Sequence, residues 1–399
     1  MAIKNIIRTP FLEVKINGSA VDGVLEARTQ LGYNLAIAQG EVTLTELPAG
    51  CDPFSPVQIT MGAATPGVVR FTGMVTQIEH ELYPKTIKVT CRSNLQRAEI
   101  FQTQTDIDMT SYATVVNLQG GVGEYGHTDE DTVSTCLYLC GIYAGPEDWQ
   151  PYVTPGIGGT GIILGKTVAD GNSGFTWVTG ESALSFIQKL DAICLGYRIF
   201  DLADGTTVRQ AISALPSLTA SKTFTEHVDI YRAMALDTVL EAKNRVTVRG
   251  FKKELNQRFN APLPAITFAA NQWLEVLSGA APDWYVTHTF SSAMIEDGGI
   301  SPDMVAAWLL AELNVRRLRV NLTTHRDDDI APGATIAIVS PTRLGITTQN
   351  FWVQEVSCEV NRQNQFSQSL ICIGVVGNSL PVLPVTRSQS FTADAYIGA

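Results

Sequence analysis

The stretch from Gly67 to Asn94, GVVRFTGMVTQIEHELYPKTIKVTCRSN, constrains the fold more than any other part of the chain. In its second half Ile87, Val89 and Cys91 alternate with Thr86, Lys88, Thr90 and Arg92. Successive side chains of a strand point to opposite faces, so this spacing gives one apolar face and one wet face. Val69, Phe71, Val75, Ile78 and Leu82 mark the first half. Tyr83-Pro84-Lys85 supplies the turn between them, because proline presets φ and donates no hydrogen bond. The segment reads as an amphipathic hairpin.

A similar hairpin returns late in the chain. Phe351 to Val360 leads through Asn361-Arg362-Gln363-Asn364-Gln365 into Phe366 to Ile373. A short alternating strand precedes each hairpin, Val57-Gln58-Ile59-Thr60-Met61 in one case and Thr335-Ile336-Ala337-Ile338-Val339 in the other. The pattern predicts a duplicated β unit.

Around these anchors the chain divides into five expected parts. Residues 1–105 read as a first small antiparallel β-barrel. Phe11 to Ile16 alternates into a type I′ turn at Asn17-Gly18, further strands cover 24–30 and 41–47, and a later strand near 240–252 completes the barrel. Residues 106–178 form a glycine-rich inserted lobe with one short helix, opened by a capping box from Thr128 to Asp131 and stopped at Gly141. Residues 179–300 begin with a helix carrying Ala183, Phe186, Ile187, Leu190 and Cys194 at helical spacing. Thr179 or Ser182 caps it, Gly196 closes it, and a hairpin turns at Ala203-Asp204-Gly205. Residues 301–376 combine a helix opening at Ser301-Pro302-Asp303 with a second β-barrel, entered through a Pro332-Gly333 turn. Residues 377–399 read as an extended tail that orders against a partner. The fold class expected is α+β, mainly β: two related small antiparallel β-barrels with inserted α/β lobes.

Composition narrows the function. With 45% hydrophobic and 17% charged residues the 399-residue chain folds, and its length suggests several compact units. A net charge of −11 argues against a surface that grips nucleic acid. Seven cysteines without framework spacing predict free thiols and assembly in a reducing cytoplasm. No apolar run is long enough to span a bilayer.

The motifs with chemical content each favour a plain reading. Gly121/Gly123/Gly126 and Gly156/Gly158/Gly161 match the dinucleotide glycine pattern. Glu124, Asp129, Glu130 and Asp131 stand where a pyrophosphate would bind, however, so these are loops. Cys136 and Cys140 share a helix face near His127, but Val133, Leu137 and Leu139 around them point to a core rather than a metal site. His325-Arg326-Asp327-Asp328-Asp329 lacks the alternating ligands and glycine of a calcium loop and reads as a solvated turn. Arg70, Lys85, Lys88 and Arg92 read as a wet strand face, and Tyr143, Trp149, Tyr152 and Trp177 as packing aromatics rather than a sugar platform. No catalytic, cofactor or metal residue is assigned.

Several of these segments together resemble the baseplate hub family of tailed bacteriophages, related to late-control-type tail proteins and to the hub part of type VI secretion spikes. The resemblance lies in Arg70 to Val75 through Tyr83 to Arg92, in Thr179 to Leu190 and Gly196 to Phe200, in Asp204-Gly205-Thr206, and in Ala331-Pro332-Gly333 through Val353. It implies a non-enzymatic, homotrimeric symmetry adaptor of the virion tail, assembled in the host cytoplasm. Two related barrels per subunit would make a pseudo-six-fold ring. That ring would join the hexameric tail tube or distal tail protein to a central spike or fibre, contact the tape measure protein, and form part of the DNA channel. The stretch after the second β unit is too short for the lytic domain that some hub relatives carry. The alternatives are a tail-associated cell-wall glycan hydrolase, using two carboxylates of the 110–180 lobe, and a sugar-binding tail protein.

Overall fold

The computed structural model describes residues 9–83, 85–108, 129–142, 176–194, 196–211, 219–225, 228–237, 245–249, 257–260, 287–292, 318–326, 328–339, 349–374 and 393–395, with single positions between 295 and 309. The first part holds β1 (Phe11–Ile16), β2 (Ser19–Ala20), β3 (Val24–Gly32), β4 (Leu35–Leu44), β5 (Pro56–Gly62), β6 (Val68–Glu81), β7 (Thr86–Arg92) and α1 (Gln96–Ile100). The middle holds β8 (Ile107–Asp108), α2 (Asp129–Leu139), β9 (Thr176–Trp177), α3 (Ala183–Ile193), β10 (Tyr197–Asp201) and β11 (Thr207–Ala211). Then come β12 (Lys222–Thr225), β13 (Ile230–Asp237), β14 (Arg245–Arg249), β15 (Gln257–Asn260), β16 (Thr287–Ser291), β17 (Leu318–Thr324), β18 (Thr335–Val339), β19 (Gln349–Val360), β20 (Phe366–Gly374) and β21 (Ala393–Ala395).

The fold is mainly β, as expected, and both predicted hairpins form, β6–β7 and β19–β20. The strands near the two hairpins do not make two separate closed barrels. They join through β3 and β19 into one 13-stranded sheet, and neither cluster closes on itself among the described residues. The join is held because Ala27, Thr29 and Leu31 on β3 and Val356, Cys358 and Val360 on β19 bury the same face. A gap there would open their shared core to water.

The sheet nonetheless repeats itself. Following hydrogen-bonded neighbours, the first unit runs β1-β5-β6-β7-β4-β3. The second runs β12-β18-β19-β20-β17-β13, which is the same order of first, fourth, fifth, sixth, third and second strand. One pairing differs: β1 is antiparallel to β5, whereas β12 is parallel to β18. Apolar side chains from both units, among them Ile59, Phe71, Val89, Phe224, Ile338, Phe351 and Leu370, form one core. Each such side chain contributes roughly 1.5–3 kcal/mol when fully buried.

A second core belongs to the helices. Ser182 caps α3, its hydroxyl accepting from the Ser185 N–H at 3.1 Å, a contact whose loss costs about 1 kcal/mol. Ala183, Phe186, Ile187, Leu190 and Ile193 on α3 then face Val133, Cys136 and Leu137 of α2, with Trp177, Val305, Ala306 and Trp308 completing the layer. Leu95 and Ala98 bring α1 into it. The predicted glycine endings stand where expected, with φ of 67° at Gly141, 98° at Gly196 and 88° at Gly205. Strand β14, expected to complete the first barrel, pairs instead with β15 and β16 in a separate four-stranded sheet. Its Val246 and Val248 are buried in the helical core, which fixes it there. In the tail, Ala393–Ala395 pairs antiparallel with β15.

Candidate assembly interface

In four of their strands the two units correspond residue by residue. Hairpin β6–β7 is irregular between Val75 and Gln77, and hairpin β19–β20 between Val353 and Glu355. On the other side, β3 slips against β4 between Val24 and Glu26, and β13 against β17 between Ile230 and Arg232. A bulge fixes register locally. These shared irregularities therefore align Val75 with Val353, Ile78 with Val356, His80 with Cys358 and Leu82 with Val360. They also align Cys91 with Cys372, Val42 with Leu322, Ala27 with Ala233 and Arg28 with Met234. Cys91 and Cys372 are both buried in the shared core, and burial raises both thiols, Cys91 to about 12. A second slip, between Gln30 and Gly32, has no counterpart in β13.

The units differ at their edges. In the second unit the late half of β19 pairs with β3, and Val356, Cys358 and Val360 are at most 2% exposed. The matching half of β6, Gln77 to Glu81, has β7 on one side and no strand on the other among the described residues. Ile78 is half-buried there, His80 is exposed, and Leu82 beyond it is 80% exposed with Tyr83 at 95%. Likewise β3 is flanked by β4 and β19, whereas its counterpart β13 is flanked by β17 alone among the described residues. Met234 there is 57% exposed. Open edges bearing large apolar side chains are what a partner strand covers.

The sequence-derived candidates take other places. Arg70 is buried and donates from Nη1 to the Asp328 carbonyl at 3.0 Å, Lys88 pairs with Glu41 at 3.0 Å, and Lys85 is exposed, so the structure does not bring the basic residues together. Arg326 and Asp328, from the expected solvated turn, form a cross-link. Arg326 pairs with Asp328 at 2.7 Å and Asp229 at 3.2 Å, and Lys222 reaches Asp328 at 3.5 Å. Cys136 is buried in the helical core, and among the described residues no three His, Cys, Asp or Glu side chains are grouped to hold a metal. Trp177 is fully buried, with Nε1 donating to the Glu181 carbonyl at 2.9 Å, so it packs and presents no face to a sugar. His127, Tyr143, Trp149, Tyr152 and both glycine motifs lie outside the described residues. Among the described residues no helix is long and apolar enough to cross a membrane, and all seven cysteines are free thiols.

Two buried polar centres escaped the sequence reading. Arg209 on β11 reaches Asp129 of α2 at 2.8 Å and Asp191 of α3 at 2.7 Å, with all three side chains at most 4% exposed. Asp191 also accepts from the Ile199 N–H at 3.0 Å. Asp201 accepts from the Leu95 N–H at 2.9 Å and from the Thr207 hydroxyl, and burial raises its carboxyl to about 6 against the pull of these donors. Both centres fasten helices to the β10–β11 hairpin and are closed to solvent, which is the geometry of structural ties.

No protein-family model matches the sequence, and no curated protein matches it either. Solved structures do. A tail protein from Neisseria meningitidis MC58 is similar with a TM-score of 0.61 at 12% identity, over 91% of this chain and 96% of that one. This chain has the fold of a phage tail protein. The 43 kDa tail protein of prophage MuSo2 from Shewanella oneidensis is similar with a TM-score of 0.57 at 8% identity, over 91% and 97% of the two chains. An Escherichia coli component of the type VI secretion system, described as structurally similar to T4 tail proteins, gives a TM-score of 0.50 at 10% identity, over 93% and 79%. The fold thus agrees with the one that the resemblance read from the sequence implies.

Proposed function

We propose that the chain is a structural tail hub: a homotrimeric, non-enzymatic adaptor between a hexameric tail tube and a central spike or fibre, lining part of the DNA channel. The observation that carries this reading is the repeated strand order with its matched bulges, because a chain containing two near-equivalent units presents six of them when three copies close around an axis. The tail-protein fold supports the setting. The net charge of −11 suits a channel wall that lets DNA pass without holding it. The structural role also agrees with Asp201, whose raised carboxyl is spent on fastening α1 to the hairpin rather than facing a cleft.

Imaging the tail particle with a tag on this chain tests the reading. Three tags around the axis at the end of the tube are expected. A tag along the tube, on peripheral fibres or on the capsid overturns it, as does peptidoglycan clearing that one Asp or Glu substitution abolishes.

A further inference from the structure

The geometry points to Phe54 as an aromatic anchor that the first unit holds out on a strained turn, to be buried against a second copy of the chain. That copies meet at all rests on the hub reading above. The choice of Phe54 rests on two turns within one chain.

The turns are Asp52-Pro53-Phe54-Ser55, ahead of β5, and Ala331-Pro332-Gly333-Ala334, ahead of β18. Each closes on itself, the Ser55 N–H donating to the Asp52 carbonyl at 3.0 Å and the Ala334 N–H to the Ala331 carbonyl at 3.2 Å. Each then docks on the bulge of its hairpin by the same two bonds. The Phe54 N–H donates to the Val75 carbonyl at 2.8 Å, and the Val75 N–H to the Ser55 carbonyl at 2.9 Å. In the second unit the Gly333 N–H donates to the Val353 carbonyl at 2.8 Å, and the Val353 N–H to the Ala334 carbonyl at 2.9 Å. Phe54 is therefore the equivalent of Gly333, and their φ angles agree, 72° and 87°. Proline second and a positive φ third is the pattern of a type II turn. Glycine adopts that φ freely, whereas a bulky side chain is strained there.

The ring gains little from its own chain in return for that strain. Phe54 is 64% exposed and Pro53 is exposed beside it, whereas Pro332 and Gly333 are buried. The second unit shows what lies over such a bulge. The end of β3 is fastened to it, with the Tyr33 N–H donating to the Gln354 carbonyl at 3.2 Å and Gln354 Nε2 donating to the Tyr33 hydroxyl at 2.9 Å. The approach is so close that a Cβ on Gly32 would stand 3.0 Å from the Gln354 carbonyl oxygen. At the first unit's bulge Thr76, the equivalent of Gln354, is only half-buried and Gln77 is exposed. The chain thus covers one bulge with its own β3 and leaves the other open among the described residues, and the matching cover comes from another copy. The two joints also differ in what they need. One is made within a single chain and forms without loss of translational freedom. The other must offset that loss, and buried aromatic side chains are the residues that do so.

The inference makes stability and assembly respond in opposite directions to one substitution. Phe54→Gly gives the first turn the residue of the second. At concentrations where the chain is single, urea unfolding should show its folded-to-unfolded ratio raised about fivefold. Sedimentation at higher concentration should show self-association weakened at least about tenfold. Phe54→Leu keeps apolar bulk on the same backbone, and should hold self-association within about threefold of the parent with no gain in stability. A Phe54→Gly chain that associates as the parent does overturns the inference and leaves the hub reading standing; if that chain also fails to join purified tube protein, the tube is the occupant. Weakened association without a gain in stability overturns the strained turn. An unsubstituted chain that stays single at every concentration, with or without tube protein, overturns both the inference and the hub reading.

Discussion

The first and second sheet units share their strand order and two bulges, yet they bury their equivalent residues differently. Val356, Cys358 and Val360 are inside the molecule, while His80 and Leu82 at the matching places face solvent and Ile78 is half-covered. The cause is one neighbouring strand. Where β3 lies alongside, the apolar face is closed, and where no strand lies alongside among the described residues, the same face is open. The difference teaches that a duplicated β unit can hold both an interface already made and the template for one still to be made.

The strongest way to break the comparison is to place a carboxylate at both equivalent sites. Val356→Asp buries an unpaired charge in a closed core and should cost more than about 4 kcal/mol, leaving no cooperative thermal transition. Ile78→Asp, half-buried against the same core, should cost less, about 1–3 kcal/mol by urea unfolding, and leave a folded single chain that no longer assembles. Equal damage at the two sites would mean that the β6 edge is not open.

The helical core packs against Ala36 and Ile37 of the first unit, and its buried ion cluster tests that attachment. Arg209→Leu leaves Asp129 and Asp191 buried without their cation and should cost about 3–5 kcal/mol in urea unfolding. Adding Asp129→Asn and Asp191→Asn should recover a large part of the loss, and recovery would fail if Arg209 acted through packing alone.

Asp201 offers a pH readout of the same attachment. Its carboxyl is raised from 3.8 in the free state to about 6 in the fold, chiefly by burial. Between about pH 4 and 6 the unfolded chain ionises this group while the folded chain holds it protonated. Its contribution is therefore fully present below that window and is lost by its upper end. Asp201→Asn should remove about 3 kcal/mol of this decline, seen as a flatter stability profile against pH. An unchanged profile would contradict the assignment.

The finest test uses the equivalent thiols. Cys91→Ala and Cys372→Ala should each cost about 1–2 kcal/mol and should agree with each other within about 0.5 kcal/mol, because both sit at the same register in the same core. A large disparity would show that the two units pack differently despite their shared order.

Much of this architecture was legible from side-chain periodicity. The alternation of Ile87, Val89 and Cys91, the Asn17-Gly18 turn with φ of 53° and 78°, and the spacing of Phe186, Ile187 and Leu190 are local signals that survive folding unchanged. The repeat itself showed through its hairpins. What stayed hidden was long-range. Nothing along the chain announces that Glu359 lies beside Arg28, since pairing across such a separation leaves no periodic trace. Strand β13 was missed because Ala233 and Ala235 are weak strand formers, so the open edge at the centre of the candidate interface carried little local signal. Arg209 and Asp191 carry no local mark, because only the tertiary fold brings them together.

The mass of the complex formed by the purified chain, followed by light scattering as concentration is raised and tube protein is added, tests the central claim most directly. The account predicts a step from the 43.2 kDa chain to a particle of about 130 kDa with no stable two-chain species. A complex that stops at two chains, or a chain that stays single when the tube is present, would contradict it.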